Sequence, residues 1–272
     1  MTSVRGQRIL ITGAGHGLGR ALARQFSRAG AFVAVSDRDA ARTHAVAREL
    51  REAGGTAIAL ALDVADDRAI AAAQTTLAAE FGPLDILINT AGIVHGGRFL
   101  DVSLERHRAT TAINFDGLVA VTHAFLPELL RRPRAAIVNV ASASAFVPVP
   151  HAATYAASKA AVLSFTDSLR EELRQSGHRH VHLLAVCPSF IDTGLFAGAR
   201  PPLGMPMLAP DAVAYAIVRA LDRRHELLIV PGSVRWLWRS CRALPRPVFR
   251  WLCRRLGIAD CMVDWRGPST QP

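Results

Sequence analysis

Lysine and tyrosine are almost absent from this chain of 272 residues. A single lysine, Lys159, stands among the 32 basic residues, and the two tyrosines are Tyr155 and Tyr215. Residues four apart on a helix share one face, so Tyr155 and Lys159 would point to the same region of space. The alternative, a surface pair without function, does not explain why lysine is kept only here.

Cysteine is scarce as well. The four cysteines, at 187, 241, 253 and 261, form no Cys-x-x-Cys pair and show no metal-ligand spacing, so we expect no metal site and no disulfide framework. No apolar run reaches the length of about 18 residues needed to span a bilayer. The first residues lack the apolar core of a signal peptide. We therefore expect a cytoplasmic protein that is soluble or lies on a membrane surface.

Acidic residues are outnumbered, which gives a formal net charge of +10. The excess indicates either an anionic partner or a general compositional bias towards arginine. We expect no nucleic-acid binding, because no recognised nucleic-acid-binding module accompanies the charge. The length and the 50% hydrophobic content allow one large α/β core.

Tyrosine needs a partner to transfer protons near neutral pH, because its free pKa is about 10. At roughly 6 Å and an effective dielectric constant of about 20, an ammonium attracts a phenolate by about 3 kcal/mol, which lowers the pKa of the phenol by roughly two units. A second positive charge, such as an oxidised nicotinamide, would lower it further. We predict that Tyr155 is a general acid or base assisted by Lys159.

The start of the chain predicts a strand, a glycine turn and a helix. The strand covers Arg8–Thr12, the turn covers Gly13–Gly19, and the helix continues to Ala29. Glycines let the backbone approach a pyrophosphate, and a helix N-terminus offers free N–H groups to it. We predict a dinucleotide site, with a plain glycine turn as the alternative.

Asp37 follows the second strand, residues 31–36, where an acid can bind the adenosine ribose. A carboxylate there accepts hydrogen bonds from the free 2′-hydroxyl of NAD and repels the 2′-phosphate of NADP. NAD is therefore favoured. Arg38 keeps NADP as an alternative, because its guanidinium either pairs with that phosphate or is a solvated loop charge.

Strands and helices continue to alternate, which predicts a parallel sheet covered on both faces. Asp63 follows the third strand and either reaches an adenine amino group or caps a helix. Asn114 lies in an apolar part of a helix predicted over residues 103–131, so its amide needs a structural or catalytic partner. The predicted segments are helices near 39–53, 66–81 and 210–224 and strands at 56–62, 84–88, 135–140, 181–186 and 227–230, seven strands in all.

Taken together, these motifs over residues 5–232 resemble the short-chain dehydrogenase/reductase family, which implies a three-layer Rossmann fold with a mostly parallel seven-stranded sheet. Thr90 and Ser189 depart from the residues usual in the family, and neither change removes a catalytic group. The matching motifs are Thr12-Gly13-x-x-x-Gly17-x-Gly19, Asp63, Asn89-Thr90-Ala91-Gly92, Asn114, Ser142, Tyr155-x-x-x-Lys159 and Pro188-Ser189-x-x-x-Thr193.

The resemblance implies catalytic roles. Tyr155 would take the hydroxyl proton, and Lys159 would lower its pKa and bind the nicotinamide ribose. Ser142 would hold the substrate oxygen, with Ser144 as the competing candidate. Asn114 would position a water that links Lys159 to solvent.

Cofactor and oligomer expectations follow from the same resemblance. A homodimer or homotetramer would form through the helices that carry Asn114 and Tyr155. The cofactor would contact Gly13, His16, Gly17, Leu18, Gly19, Asp37, Arg38, Asp63, Val64, Asn89, Ala91, Gly92, Tyr155, Lys159, Pro188, Ile191 and Thr193.

Residues 189–210, rich in glycine, proline and apolar side chains, predict a mobile lid that could exclude water from hydride transfer. Phe190 would contact the substrate. With Val94, Phe146 and Val147 nearby, the lid favours a lipophilic alcohol or ketone; the alternative is that these side chains only pack on the core.

The C-terminal tail, residues 233–272, differs in composition from the rest of the chain. Residues 235–255 contain seven arginines and no acid, and Pro245 and Pro247 divide them into two short amphipathic segments. Arginine with tryptophan suits an anionic bilayer surface, so peripheral contact through residues 234–256 is one hypothesis. A tail folded over its own active site or over a subunit partner is the other.

We therefore expect one Rossmann-fold domain over residues 1–232 and a basic extension over 233–272. The predicted function is an NAD- or NADP-dependent oxidoreductase that interconverts an alcohol and its carbonyl. The alternative is a dinucleotide-binding scaffold or sensor at membranes that has lost turnover.

Overall fold

A single parallel sheet organises the molecule, whose computed structural model describes residues 4–267. Its strand order is β3-β2-β1-β4-β5-β6-β7, and every pair of neighbours is parallel. The strands are β1 (Arg8–Thr12), β2 (Phe32–Asp37), β3 (Thr56–Ala61), β4 (Ile86–Asn89), β5 (Ala135–Val140), β6 (Val181–Pro188) and β7 (Leu227–Val230). The predicted seven-stranded Rossmann-type sheet is confirmed.

Helices cover both faces of this sheet. They are α1 (Gly17–Arg28), α2 (Ala40–Glu52), α3 (Asp67–Glu80), α4 (Leu104–Thr111), α5 (Gly117–Leu130), α6 (Ala153–Gln175), α7 (Pro210–Asp222), α8 (Gly232–Ala243) and α9 (Arg246–Arg255). None of the helices within residues 4–267 is long and apolar enough to cross a membrane.

The core lies in two layers because successive strand residues point to opposite faces. In β1, Ile9 and Ile11 pack in the layer that holds Phe26 of α1. Leu10 packs in the opposite layer with Phe125 of α5. All of these side chains are at most 1% exposed, and each contributes about 1.5–3 kcal/mol through burial.

Strand register brings the site residues to one edge. Thr12 at the end of β1 pairs with Asn89 at the end of β4, and Asn89 pairs with Asn139 of β5. Val140, the last residue of β5, pairs with Val186 of β6. Because the strands are parallel, their carboxyl ends and the loops that follow form one crevice.

The long helix predicted over residues 103–131 is not uniform. A π-helical segment, Ala112–Asp116, separates α4 from α5, and it contains Asn114. A π segment inserts one extra residue into the turn, and such segments occur often at functional sites. The sequence predicts one helix over this range and does not show the insertion.

The basic tail is folded onto the domain. Val234 and Leu237 of α8 and Phe249 of α9 are buried in a cluster with Met205. The tail thus covers part of the domain, as one of the two hypotheses expected. Residues 268–272 of the predicted extension lie outside the described residues, as do residues 1–3 of the predicted domain.

Candidate active site

The sequence-predicted pair lies on α6, just behind the carboxyl edge of the sheet. Tyr155 is 7% exposed and Lys159 is 4% exposed. The Lys159 Nζ atom lies 5.9 Å from the centroid of the Tyr155 ring and donates a hydrogen bond of 2.8 Å to the Val140 carbonyl at the end of β5. The helix therefore holds both groups on one face, with the ammonium tied to the sheet.

The predicted lowering of the tyrosine pKa is not found in the protein alone. Burial raises the pKa of Tyr155 to about 12, although a hydrogen bond with Ser142 acts in the opposite direction. Burial also lowers the pKa of Lys159 to about 8, so its side chain is charged at neutral pH. Desolvation of the phenolate is the largest cause and exceeds the effect of the Ser142 hydrogen bond, because Tyr155 is almost completely buried.

Ser142 and Ser144 are distinguished by their partners. The Ser142 side chain lies beside the Tyr155 phenol and lowers the pKa of that group, and its hydroxyl accepts a 3.1 Å hydrogen bond from the Ser144 backbone N–H. The Ser144 hydroxyl is buried and has no hydrogen-bond partner among the described residues. Of the two candidates, Ser142 is the one in contact with the phenol, while Ser144 presents an unused hydroxyl to the same pocket.

Asn114 is completely buried and fully partnered. Its Nδ2 donates to the Ile93 carbonyl at 3.0 Å and to the Ser158 hydroxyl at 3.1 Å, and its Oδ1 accepts from the Ile93 N–H at 2.8 Å. A Cβ at Gly92 would lie 3.2 Å from Asn114 Oδ1 and 3.4 Å from Lys159 Nζ. The amide thus anchors the loop after β4 beside the lysine.

The glycine turn forms a cradle that side chains would fill. A Cβ at Gly19 would lie 2.2 Å from the Gly13 carbonyl oxygen, and one at Gly13 would lie 2.8 Å from Ala91 Cα. Within residues 4–267, the His16 side chain makes no capping hydrogen bond to the N-terminus of α1, where the Leu18 N–H lies. This helix N-terminus and the open backbone fit the pyrophosphate of a dinucleotide.

Asp37 closes the other end of the cradle. It accepts hydrogen bonds of 3.1 Å from the Gly15 and Asp39 N–H groups, and His16 Nδ1 lies 3.6 Å from its Oδ2. Burial disfavours the carboxylate, but these contacts outweigh it and lower the pKa of Asp37. A fixed negative charge at this point fits two ribose hydroxyls and disfavours a phosphate. Arg38 beside it is exposed.

The remaining predicted cofactor residues lie around this crevice. Asp63 is exposed and accepts from the Ala65 N–H at 2.9 Å; the cap of α3 is Asp66, so the helix-cap alternative for Asp63 was wrong. Val64 is buried. Pro188 ends β6, and Ile191 follows it in a bridge to Leu208. A Cβ at Gly17 would touch Thr193, which places the lid beside the glycine turn.

Asn89, at the end of β4, connects neighbouring elements of the sheet edge. Its Nδ2 donates to Asn139 at 2.9 Å and to Thr122 at 3.2 Å, which ties β4 to β5 and α5. The neighbouring Thr90 hydroxyl bonds to the Thr12 carbonyl, so the departure at position 90 keeps a link between β1 and β4. These hydrogen bonds fix the positions of the strands that form the base of the crevice.

An apolar pocket opens in front of Tyr155. The lid supplies Phe190, Phe196, Pro202 and Met205, and the Phe196 ring lies 5.9 Å from the Tyr155 ring. Val147 lines the pocket as predicted, whereas Phe146 packs on Trp238 instead. Four lining residues come from the tail, and the sequence did not predict them as pocket residues: Leu237, Ile258, Cys261 and Met262. No motif marks them; the only signal was the apolar character of the tail.

A doubly wound parallel sheet, with a glycine cradle and a buried tyrosine–lysine pair at one of its edges, defines the Rossmann-fold class of α/β protein. The family model described as short chain dehydrogenase matches residues 7–203, and the chain belongs to that family.

Individual relatives agree with this assignment. The chain is 36% identical over 258 residues to "Probable oxidoreductase EphD" of Mycobacterium tuberculosis, a match covering 88% of this chain but only 43% of that protein. It is 32% identical over 263 residues to human "Epidermal retinol dehydrogenase 2", covering 96% of this chain and 85% of that protein. A short chain dehydrogenase/reductase from Burkholderia phymatum, solved in complex with NAD, superposes with a TM-score of 0.81 at 26% identity over 91% of this chain and 98% of that one.

Proposed function

We propose that the protein interconverts a lipophilic alcohol and its carbonyl compound by hydride transfer with NAD. The observation that carries the proposal is the contact between Ser142 and the buried Tyr155 phenol, with the Lys159 ammonium 5.9 Å from the same ring, at the mouth of an apolar pocket. A general acid/base, a hydroxyl for the substrate oxygen and a charge beside them are the groups that the reaction needs.

The side chains would divide the proton work between them. Ser142 holds the substrate oxygen next to the Tyr155 hydroxyl. In reduction, the protonated phenol of Tyr155 gives its proton to that oxygen; in oxidation, the Tyr155 phenolate takes the proton of the substrate hydroxyl. The bound nicotinamide supplies the acceptor or donor of hydride. The Lys159 ammonium stabilises the phenolate that remains after proton donation, and this contribution grows when water is excluded.

The proposed cofactor is NAD, with Asp37 as the residue that discriminates it from NADP. Its hydrogen-bonded carboxylate, whose pKa is lowered, would face the adenosine ribose, as an acid at the end of the second strand does in Rossmann folds. The Burkholderia phymatum structure, similar over nearly its whole length, contains NAD. Gly13, Gly17 and Gly19 would hold the pyrophosphate, and Lys159 the nicotinamide ribose.

The proposed substrate is lipophilic. Apart from Tyr155 and three serines, the pocket is lined by apolar side chains, including Phe190, Phe196 and Met205. The name of the human relative refers to retinol, an apolar alcohol. A small polar alcohol would leave much of this apolar wall in contact with water, so its binding would gain little from the hydrophobic effect.

Absorbance at 340 nm tests the function directly. The chain is incubated with NAD or NADP and with long-chain or polycyclic secondary alcohols beside small polar alcohols. We expect turnover with NAD that favours the lipophilic set. Tyr155→Phe, which keeps the ring, should lower kcat by a factor of about 10² or more.

Each different result of this assay would contradict a different part of the proposed function. Equal or better rates on polar alcohols would exclude the lipophilic substrate, and activity that survives in Tyr155→Phe would exclude the mechanism. NAD binding without turnover on any alcohol would support the alternative of a scaffold or sensor. A higher kcat/KM with NADP than with NAD would contradict the assigned role of Asp37.

We further propose two partners. The first is a second copy of this chain, held through α5 and α6, where a surface groove is lined by Phe115, Val119 and Phe165. The second is the surface of an anionic membrane, contacted by α8 and α9. Their inner sides are buried, while Trp236 is 62% exposed and Trp251 is 52% exposed among arginines. Aromatic side chains flanked by arginine suit the headgroup region of a bilayer.

A further inference from the structure

The pocket has a wall that comes from beyond the part of the chain that the family model matches. That model ends at residue 203, whereas Ile258, Cys261 and Met262 line the pocket in front of Tyr155. All three are at most 2% exposed. They belong to residues 256–267, which follow α9 and are named here the closing segment.

The closing segment is bonded to the lid along its length. The Leu203 N–H donates to the Leu256 carbonyl at 3.0 Å, and the Arg200 N–H donates to the Cys261 carbonyl at 2.8 Å. In the opposite direction, the Arg266 N–H donates to the Ala197 carbonyl at 2.9 Å. These three backbone bonds depend on the path of the chain rather than on side-chain chemistry, so they fix the segment in position.

Trp265 extends the contact to the other side of the pocket mouth. Its Nε1 donates to the Leu195 carbonyl at 3.0 Å. Its ring lies so close to the loop after β4 that a Cβ at Gly96 would be 2.6 Å from Trp265 Cε3. The closing segment thus spans from the lid to that loop.

We propose that the closing segment is the specificity-determining wall of the pocket, and that the Ile258, Cys261 and Met262 side chains set the size of the apolar group that a substrate carries beside its reacting carbon. The inference rests on the proposed function for the identity of the reaction. The fixed wall excludes groups too bulky for the space between Met262 and the lid, and it supplies apolar contact to those that fit. In a hydrophobic pocket, a change of one methylene alters discrimination by about 10- to 200-fold.

Adjacent residues provide the first test. Met262 is 2% exposed and lines the pocket, whereas Val263 beside it is 54% exposed. Met262→Ala should raise kcat/KM for a polycyclic secondary alcohol relative to a straight-chain one by about tenfold or more. Val263→Ala should leave this ratio unchanged. Equal ratios in both variants and the wild type would overturn the proposal, provided that thermal unfolding shows Met262→Ala to be folded.

Two lid glycines provide the second test, which does not depend on turnover. Gly194 and Gly198 share a φ of +82°. A Cβ at Gly198 would lie 2.1 Å from the Asp264 carbonyl oxygen, whereas one at Gly194 would meet no atom within 4 Å. Alanine is strained by the positive φ at both positions, but only Gly198→Ala should displace the closing segment.

Hydrogen–deuterium exchange provides the readout. In Gly198→Ala, the amides of Arg200, Leu203 and Arg266 should exchange faster than in Gly194→Ala, and the preference between the two alcohols should change with them. If the wild type shows no turnover, the proposed function fails while the exchange experiment still decides whether the segment is fixed to the lid. Equal exchange in the two alanine variants would overturn the inference.

Discussion

Lys159 should lower the stability of the fold at neutral pH. Its pKa is lowered by burial from 10.5 to about 8, so below pH 8 the protein holds a buried ammonium in the folded state. Between pH 8 and about 10.5 the unfolded chain binds more protons at this residue than the folded one, so stability rises with pH in that window.

Lys159→Met removes this dependence. At pH 7 the free energy of unfolding of the variant should exceed that of the wild type by up to about 3 kcal/mol. The loss of the hydrogen bond to the Val140 carbonyl reduces this gain. The difference in free energy between the two proteins should become smaller as the pH rises from 8 to 10. Denaturant unfolding of both proteins at several pH values checks this. A difference that does not change with pH would show that burial does not depress the lysine pKa. Tyr155, with its pKa raised to about 12, affects the curve only above pH 10.

The two serines should respond differently to alanine. Ser142→Ala removes the group in contact with the Tyr155 hydroxyl and should lower kcat by about 10²-fold. Ser144→Ala removes a buried hydroxyl that has no partner in the part of the chain that the structure describes, so it should raise the free energy of unfolding by about 1 kcal/mol and leave kcat on simple alcohols within about a factor of three. Steady-state kinetics with thermal unfolding separate these outcomes. A larger loss of kcat in Ser144→Ala than in Ser142→Ala would show that Ser144, and not Ser142, holds the substrate oxygen.

For single residues, the sequence predicted which side chains lie close together but not their pKa values. The spacing of Tyr155 and Lys159 is sufficient to place them together on α6. The direction of the tyrosine pKa depends on how completely the lid and α6 exclude water, which is a property of the folded pocket. Residue spacing gives no measure of it.

Among the elements, α8 and α9 yield a membrane prediction. Co-sedimentation with vesicles of phosphatidylglycerol and phosphatidylcholine should show binding that weakens with salt, because arginines and the anionic headgroups attract each other. Trp251→Ala should reduce the bound fraction, since this ring is 52% exposed and has the Arg255 guanidinium 5.4 Å from its centroid.

Tyr215 on α7 supplies the matched control for this experiment. It is 43% exposed and has Arg219 at 5.7 Å from its ring centroid, so it repeats the same pair on another surface. Tyr215→Ala should bind vesicles as the wild type does. If the two variants and the wild type co-sediment equally, α8 and α9 have no role at membranes.

Element boundaries were predicted well where hydrophobic periodicity and glycine or proline marked them, as for β1, β5 and α7. The π segment around Asn114 was not predicted, although the buried amide itself was. Residue type showed that Asn114 needed partners, but the extra residue in the turn that directs it to Ile93 leaves no compositional trace.

For the molecule as a whole, we expect a dimer or tetramer through the groove on α5 and α6. Val119 lies half-buried in that groove, so Val119→Arg would place an unpaired charge in the interface. Sedimentation equilibrium should show a lower mass for this variant, whereas Tyr215→Arg should keep the wild-type mass. A monomeric wild-type protein would remove the prediction.

The overall architecture followed from alternating strands and helices, whereas the complete pocket did not. Its lid residues adjoin a recognised motif in the chain. Cys261 and Met262 reach the same space from the far end of the sequence, and only the packing of α8 and α9 brings them there. Long-range contacts of this kind are set by the tertiary fold and leave no local pattern.

The solitary lysine also makes the fold easy to monitor. A protease specific for lysine has one cleavage site in these 272 residues, after Lys159, and that site lies within α6 with its side chain 4% exposed. Cutting therefore requires α6 to open, and the appearance of two fragments would report the population of opened molecules. A ligand that binds beside Tyr155 should slow the digestion. The digestion rate therefore provides a screen for ligands that needs neither a label nor a measurable reaction.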